Sequence, residues 1–382
     1  MSEIQVANLW FESSKSTGIV GGVSTNTYTI RAGGVDQLVI NSTASVINNV
    51  SVGTFVNSIA VGANVVINTS TVFVGNSTVN TVANSSTLSI NGNNISPFIF
   101  RNKIINGAMV IDQRNSGANT SLSTNNSVYT VDRWWGQVAA NTTGCVAYRT
   151  TDVPSGFVNS FRVQRTSGNT GTSAITVGQI VESYNCYDLQ GQTVTLSFWA
   201  KCGANFSATS NNISVVVATG TTADEGMAKF ANSTWTGYSA VINQTQQITS
   251  TWSKYTITSS TLGSSISELG ISFKFTPTGT ASTNDWFEIT GVQLEAGTVA
   301  TPYEARPVST ELALCQRYYQ TGGNFAYNVS TYISLTYPVT MRATPTLSFS
   351  VSPSGGSSSA TYGFYAIHNQ VTSFTYTASI EL

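Results

Sequence analysis

Between Asp36 and Arg101 lie sixty-four residues, Gln37 to Phe100, without one charged side chain. Short apolar segments recur there about every seven residues: Val39-Ile40, Val46-Ile47, Phe55-Val56, Val65-Val66-Ile67 and Val72-Phe73-Val74. A heptad coiled coil would need helix formers between the seams and charges flanking them. The fillers here are Asn, Ser, Thr and Gly, which favour turns, and the apolar residues are mostly β-branched. The pattern therefore predicts short strands separated by tight turns. A single thread of such strands cannot bury its faces, so identical chains wrapped around a common axis are expected to close the core. This reading makes residues 38–97 an intertwined, homotrimeric β-shaft, whose reach at about 3.3 Å per residue is bounded near 200 Å and is cut severalfold by turns. The absence of Lys and Arg also removes every trypsin site from it.

Charge is scarce throughout. Only 9% of the 382 residues are Asp, Glu, Lys or Arg, with 16 basic and 17 acidic side chains, a net charge of -1 and one histidine, His368. No basic surface exists to neutralise phosphates, so nucleic acid is excluded as a partner. At 41% hydrophobic and 10% aromatic the chain has material for a core, and amides and hydroxyls must supply its solubility. Neither a signal-peptide pattern at the start nor a run of about 18 apolar residues is present, so folding in a cytoplasm without membrane insertion is expected. Cys145, Cys186, Cys202 and Cys315 form no C-x-x-C pair and read as buried free thiols.

After Pro97 charges and tryptophans return. The segment 192–200 alternates so that Val194, Leu196, Phe198 and Ala200 share one face of a half-buried strand. Strands over 213–218, 253–258, 270–275 and 286–294, separated by Gly, Asn and Ser clusters, predict a two-sheet sandwich or jelly roll across 98–307. Pro307 precedes Ser309, a candidate N-cap, with Glu311 in the first turn and Leu312, Cys315 and Tyr319 on one stripe, which predicts a short helix. The remainder returns to strands rich in Tyr, Phe, Thr and Ser. The fold class expected is all-β: an attachment segment at 1–37, the shaft at 38–97, the sandwich at 98–307, and a short helix with a small distal β-domain at 308–382.

Several motifs in this middle stretch resemble those of a known family. Arg101-Asn102-Lys103-Ile104-Ile105-Asn106-Gly107, Asp112-Gln113-Arg114, Tyr129 to Trp135, Leu196 to Lys201, Gly291 to Gly297, Thr301 to Glu304 and Glu311 to Tyr319 together resemble a jelly-roll domain common in tail-fibre proteins of tailed bacteriophages. Ile30 to Val35 and the Val-Gly-Asn-Ser-Thr units more loosely resemble fibre shafts. The resemblance covers about 220 residues well, about 60 weakly, and the last 60 hardly at all. It implies a carbohydrate-binding-module-like domain in a trimeric virion protein, assembled in the bacterial cytoplasm and joined to other virion proteins through its N-terminus. It also implies that a structural calcium ion is compatible with the fold. Asn106, Asp112 and Glu288 are acceptable oxygen donors, but their spacing assigns no site, and no other cofactor is expected.

Catalysis is poorly provided for. Two carboxylates at a defined separation are needed to cut a glycosidic bond, and Asp112, Asp132, Asp224, Glu225, Asp285 and Glu288 are the candidates; a turn or ion-pair role suits Asp132, and Asp224-Glu225 reads as a solvated loop. A serine hydrolase needs a base, yet His368 stands alone and Gly-x-Ser-x-Gly is absent. No catalytic residue is assigned.

Sugar binding asks for an exposed aromatic platform beside amides or carboxylates. Two segments fit: 233–238 with Trp235 and Tyr238, and 362–369 with Tyr362, Tyr365, His368 and Asn369. The alternative is that these aromatics serve core or chain-chain contacts, as expected for Trp134, Trp135 and Trp199 in the framework, and that His368 is structural instead of a pH-sensitive tip contact. The function expected is non-catalytic, multivalent adhesion to host surface polysaccharide by a tail fibre. A capsid fibre, a tailspike depolymerase and a free lectin are the alternatives.

Overall fold

The computed structural model describes strand segments between residues 8 and 94 by their backbone, and residues 100–122, 127–139, 144–325, 331–368 and 373–382. The chain divides into two compact units, Met1–Ile95 and Ser96–Leu382. No helix among the described residues is long and apolar enough to cross a membrane.

The first unit is built of short antiparallel strands. One sheet orders β1 (Asn8–Trp10), β2 (Gly18–Gly22), β3 (Thr27–Ala32), β4 (Val35–Ile40) and β5 (Ser45–Ile47) as a meander. A second meander contains β6 (Ser58–Val61), β7 (Val65–Asn68), β8 (Thr71–Gly75), β9 (Asn80–Asn84), β10 (Leu88–Ile90) and β11 (Asn93–Asn94). The apolar segments expected as strands fall in β4, β5, β7 and β8, while Phe55-Val56 lies outside the described residues. Strands adjacent in sequence pair antiparallel within the chain, as in β6 with β7, β7 with β8 and β8 with β9.

In the second unit a sandwich of two six-stranded antiparallel sheets forms. Its strands are β12 (Thr120–Ser121), β13 (Val128–Tyr129), β14 (Trp135–Val138), β15 (Cys145–Thr150), β16 (Ser160–Arg165), β17 (Ile175–Val181), β18 (Val194–Cys202), β19 (Asn212–Gly220), β20 (Ser239–Gln247), β21 (Ser253–Thr258), β22 (Glu268–Phe275) and β23 (Trp286–Ala296). One sheet has the order β12-β15-β16-β23-β18-β21, the other β13-β14-β17-β22-β19-β20. As the alternation predicts, Val194, Leu196, Phe198 and Ala200 of β18 are fully buried. Phe198 meets Phe273 of β22 across the sandwich, the ring centroids 4.9 Å apart. In β23, Gly291 adopts a positive φ of 59°, and a Cβ there would lie 2.5 Å from the Phe157 ring. Glycine is required at that irregularity.

A second apolar core lies on the outer side of the second sheet. Trp135, Ile180 and Ala218 are covered by Phe230 of α1 (Met227–Ala231), Cys315 of α2 (Val308–Gln316), Trp235, Tyr318 and the terminal Leu382. Gly270 permits this packing, since a Cβ would sit 2.6 Å from the Phe230 ring and 2.9 Å from that of Trp235. The helix begins two residues earlier than expected: Pro307 is the N-cap, and its carbonyl accepts from Thr310 and Glu311, so Ser309 lies inside α2. Proline suits that position because φ is already fixed near the value needed. All four cysteines are free and buried.

The distal strands form two three-stranded sheets. β24 (Tyr319–Phe325), β29 (Phe374–Ser379) and β26 (Thr346–Phe349) make one, and β25 (Thr331–Thr336), β28 (Gly363–His368) and β27 (Ser357–Ala360) the other. Between them pack Tyr337, Met341, Phe364, Ala366, Tyr376 and Ala378. Glu381 returns to the sandwich, pairing with Arg114 at 2.7 Å and with Arg133.

Candidate functional site

Strand alternation selects which distal aromatics meet solvent. In β28, Phe364, Ala366 and His368 point into the module, so Tyr365 and Ile367 must face outward. In the neighbouring β25, Tyr332 and Ser334 are exposed and Ile333 is buried. The antiparallel register sets Ser334 opposite Tyr365 and Tyr332 opposite Ile367, which makes the two tyrosines diagonal neighbours on one face. Their rings stack with centroids 5.0 Å apart and planes 17° from parallel. Tyr332 remains 60% exposed and Tyr365 37%, while Tyr362, in the turn before β28, is 68% exposed. Ser358 of β27 pairs opposite Tyr365 on the other side and is also exposed. The result is an aromatic patch with a hydroxyl border on a three-stranded sheet.

His368 is not part of that patch. It is 2% exposed and stacks on Phe374 with centroids 4.1 Å apart, and neither ring nitrogen has a hydrogen-bond partner among the described residues. Burial holds its pKa below the usual histidine value, which favours the neutral ring. Residues 365 and 368 are three apart in a strand of period two, so they point to opposite faces. Asn369 lies outside the described residues.

The other proposed platform is absent from the surface. Trp235 is only 3% exposed, its ring lies 4.7 Å from Phe230, and its indole N–H donates to the Glu225 and Gly226 carbonyls at 3.2 and 3.3 Å. Tyr238 packs half-buried against the same core. The loop turns inward because Gly270 opens a slot for the large rings. Trp134 and Trp135 are fully buried, as expected, but Trp199 is half-buried on the outer face of the sandwich.

That outer face carries a second aromatic group, which sequence reading missed. The Arg162 guanidinium lies 4.1 Å from the Trp286 ring centroid, and Lys201 lies 5.4 Å from Trp252 and 5.5 Å from Trp286. Arg162 pairs with Glu288 at 2.6 Å, and Lys201 pairs with Asp152. These indoles already hold cations over their rings. The period of β16, β18 and β23 was the available signal, since it sets Arg162, Lys201, Trp286 and Glu288 on one side.

The candidate carboxylates are engaged in the frame. Asp112 accepts from the Gly117 amide at 2.6 Å, and Asp132 from the Gln113 amide at 3.0 Å. Asp224 holds Ser183 and Arg342, and Glu225 holds Lys229 and Thr236. Asp285 pairs with Arg165 at 2.8 Å, both side chains being wholly buried. The donors suggested for calcium do not fit an ion: the Asn106 amide is spent on Ile111 and Asp132 backbone groups, Asp112 on its own turn, and Glu288 on Arg162. No group of three metal-ligating side chains occurs among the described residues.

No family model matches the chain, and no curated protein does. Among solved structures, it is similar to the enzymatically active domain of tailspike protein 4 of bacteriophage CBA120, with 14% identity, a TM-score of 0.31, and 53% of this chain and 22% of that one covered. It thus spans about a fifth of that tailspike chain. A family 4 carbohydrate-binding module is similar at 18% identity and a TM-score of 0.28, covering 50% of this chain and 98% of the module. A xylan-binding domain from Paenibacillus barcinonensis is similar at 15% identity and a TM-score of 0.28, over 44% of this chain and 93% of that domain.

Proposed function

We propose that this chain is a bacteriophage fibre protein that attaches a virion to surface glycan of its host and does not cut that glycan. The observation that carries this reading is the exposed Tyr332–Tyr365 stack with Tyr362 close by in sequence. Sugars offer apolar ring faces and hydroxyl edges, and a tyrosine patch bordered by serines matches both. The candidate catalytic carboxylates, in contrast, are committed to ion pairs and turns. The uncharged strand-rich region before Ser96 suits a shaft shared by three chains, and the N-terminal segment suits attachment to other virion proteins. Three weak sites per fibre, multiplied over many fibres, would give avidity beyond any single contact.

The test uses the purified full chain. Light scattering at several dilutions is expected to give three times 40.4 kDa. Labelled chain is expected to bind host cells and to release no reducing sugar ends from their envelope polysaccharide. Release that disappears in Asp132→Asn or Asp224→Asn would replace adhesion by depolymerisation. A dilution-stable monomer would remove the trimeric fibre.

A further inference from the structure

We infer that the distal tyrosine face selects a neutral glycan, and that its binding is nearly independent of salt. This rests on the adhesion reading and sharpens it. From Thr321 to Leu382 the sequence holds only two charged residues, Arg342 and Glu381. Neither is free to attract a ligand. Arg342 pairs with Asp224 at 3.0 Å and donates to the Ile380 carbonyl, while Glu381 is shared by Arg114 and Arg133. Both are thereby turned toward the sandwich.

The face around the stack offers phenol rings and the hydroxyls of Ser334, Ser358 and Thr336, all exposed. A uronate, sialate or phosphate brought against it would lose part of its hydration and gain no counter-charge. A neutral pyranose loses little on contact: its C–H face covers a ring and its hydroxyls meet hydroxyls. The same chain carries cation-lined indoles on its sandwich, so the neutrality of the distal face is local and not a mere consequence of low overall charge. With no net charge at the contact, ionic screening has nothing to act on.

The probe is envelope polysaccharide from a bacterium that the full chain binds, split on an anion exchanger into unretained neutral and retained acidic fractions. Competition against cell binding is measured at about 50 and about 500 mM NaCl, where the Debye length changes severalfold. The neutral fraction is expected to compete, with less than about a twofold change between salts. Tyr365→Ala and Tyr332→Ala are each expected to weaken it about fivefold, the loss of one aromatic contact, while native mass and melting stay unchanged. Competition by the acidic fraction alone, or a steep salt dependence, would overturn the inference while leaving adhesion standing. Unchanged binding in both tyrosine variants would move the site elsewhere, and altered native mass would make the face a chain-chain contact. Cell binding that neither fraction inhibits would remove glycan adhesion itself.

Discussion

The sandwich and the distal module solve the same problem, a stable β-fold with few charges, in opposite ways. In the sandwich, charged side chains are scarce but deeply used: Arg165 and Asp285 pair with no exposure of either, and Arg165 also donates to the Gly171 and Gly279 carbonyls. The distal module holds together through rings, with Phe364 4.7 Å from Tyr376 and Phe349 5.6 Å from Phe364. The difference teaches where a charge-poor chain can place its charges. Ion pairs buried in the frame fix geometry at the cost of desolvation, whereas a surface left neutral stays free to contact an uncharged ligand.

The largest test of this contrast breaks the buried pair. Arg165→Ala is expected to cost about 3–5 kcal/mol, because Asp285 would remain buried without a counter-charge. Urea unfolding of the full chain measures it. A loss below about 1 kcal/mol would show that the frame does not depend on the pair.

Phe364→Ala, in the ring-built module, is expected to cost about 3–4 kcal/mol by cavity formation. The loss should appear as early exchange of amides in 331–368 while those of β18 and β23 stay protected. Simultaneous exposure of both regions would mean that they unfold as one unit and would blunt the comparison.

Glu268 gives a smaller, pH-dependent effect. It is wholly buried in the sandwich, accepting from the Glu225 amide at 2.7 Å. Burial, reinforced by Glu225 and Asp224, pushes its pKa up to about 8. The folded chain then holds a proton that the unfolded chain has already lost, so stability falls as pH rises from the ordinary carboxyl range to about 8. Glu268→Gln should remove that slope and raise the melting temperature by a few degrees at alkaline pH. An unchanged slope would place the titration elsewhere.

The smallest expected effect is on the exposed face. Tyr332→Ala should change stability by less than about 1 kcal/mol, since the side chain is mostly solvated, whereas the proposed adhesion predicts weaker glycan binding. A larger stability loss would make the stack a structural element of the module.

Much of the fold could be read in the chain itself. Period-two alternation located β18, β19, β21, β22 and β23, and the spaced β-branched segments located β4, β5, β7 and β8. The site was only half legible. Tyr362 and Tyr365 stand in a segment whose aromatic content marks it as a candidate platform, but Tyr332 lies thirty residues upstream in a segment of Thr, Ser and aliphatics that carries no local sign of a partner. Residue type points Trp235 and His368 to the surface, yet both are buried, because neighbouring strands decide which side is wet.

Local composition and periodicity therefore determined that this protein is built of strands, that its charges are few, and that its last sixty residues are nearly neutral. Those properties follow from side-chain sequence along a single strand or turn. The tertiary structure alone decided that Tyr332 and Tyr365 stack, that Trp235 fills the slot beside Gly270, and that Arg342 and Glu381 turn toward the sandwich. Each depends on register or on packing between residues far apart in the chain, which no local pattern encodes.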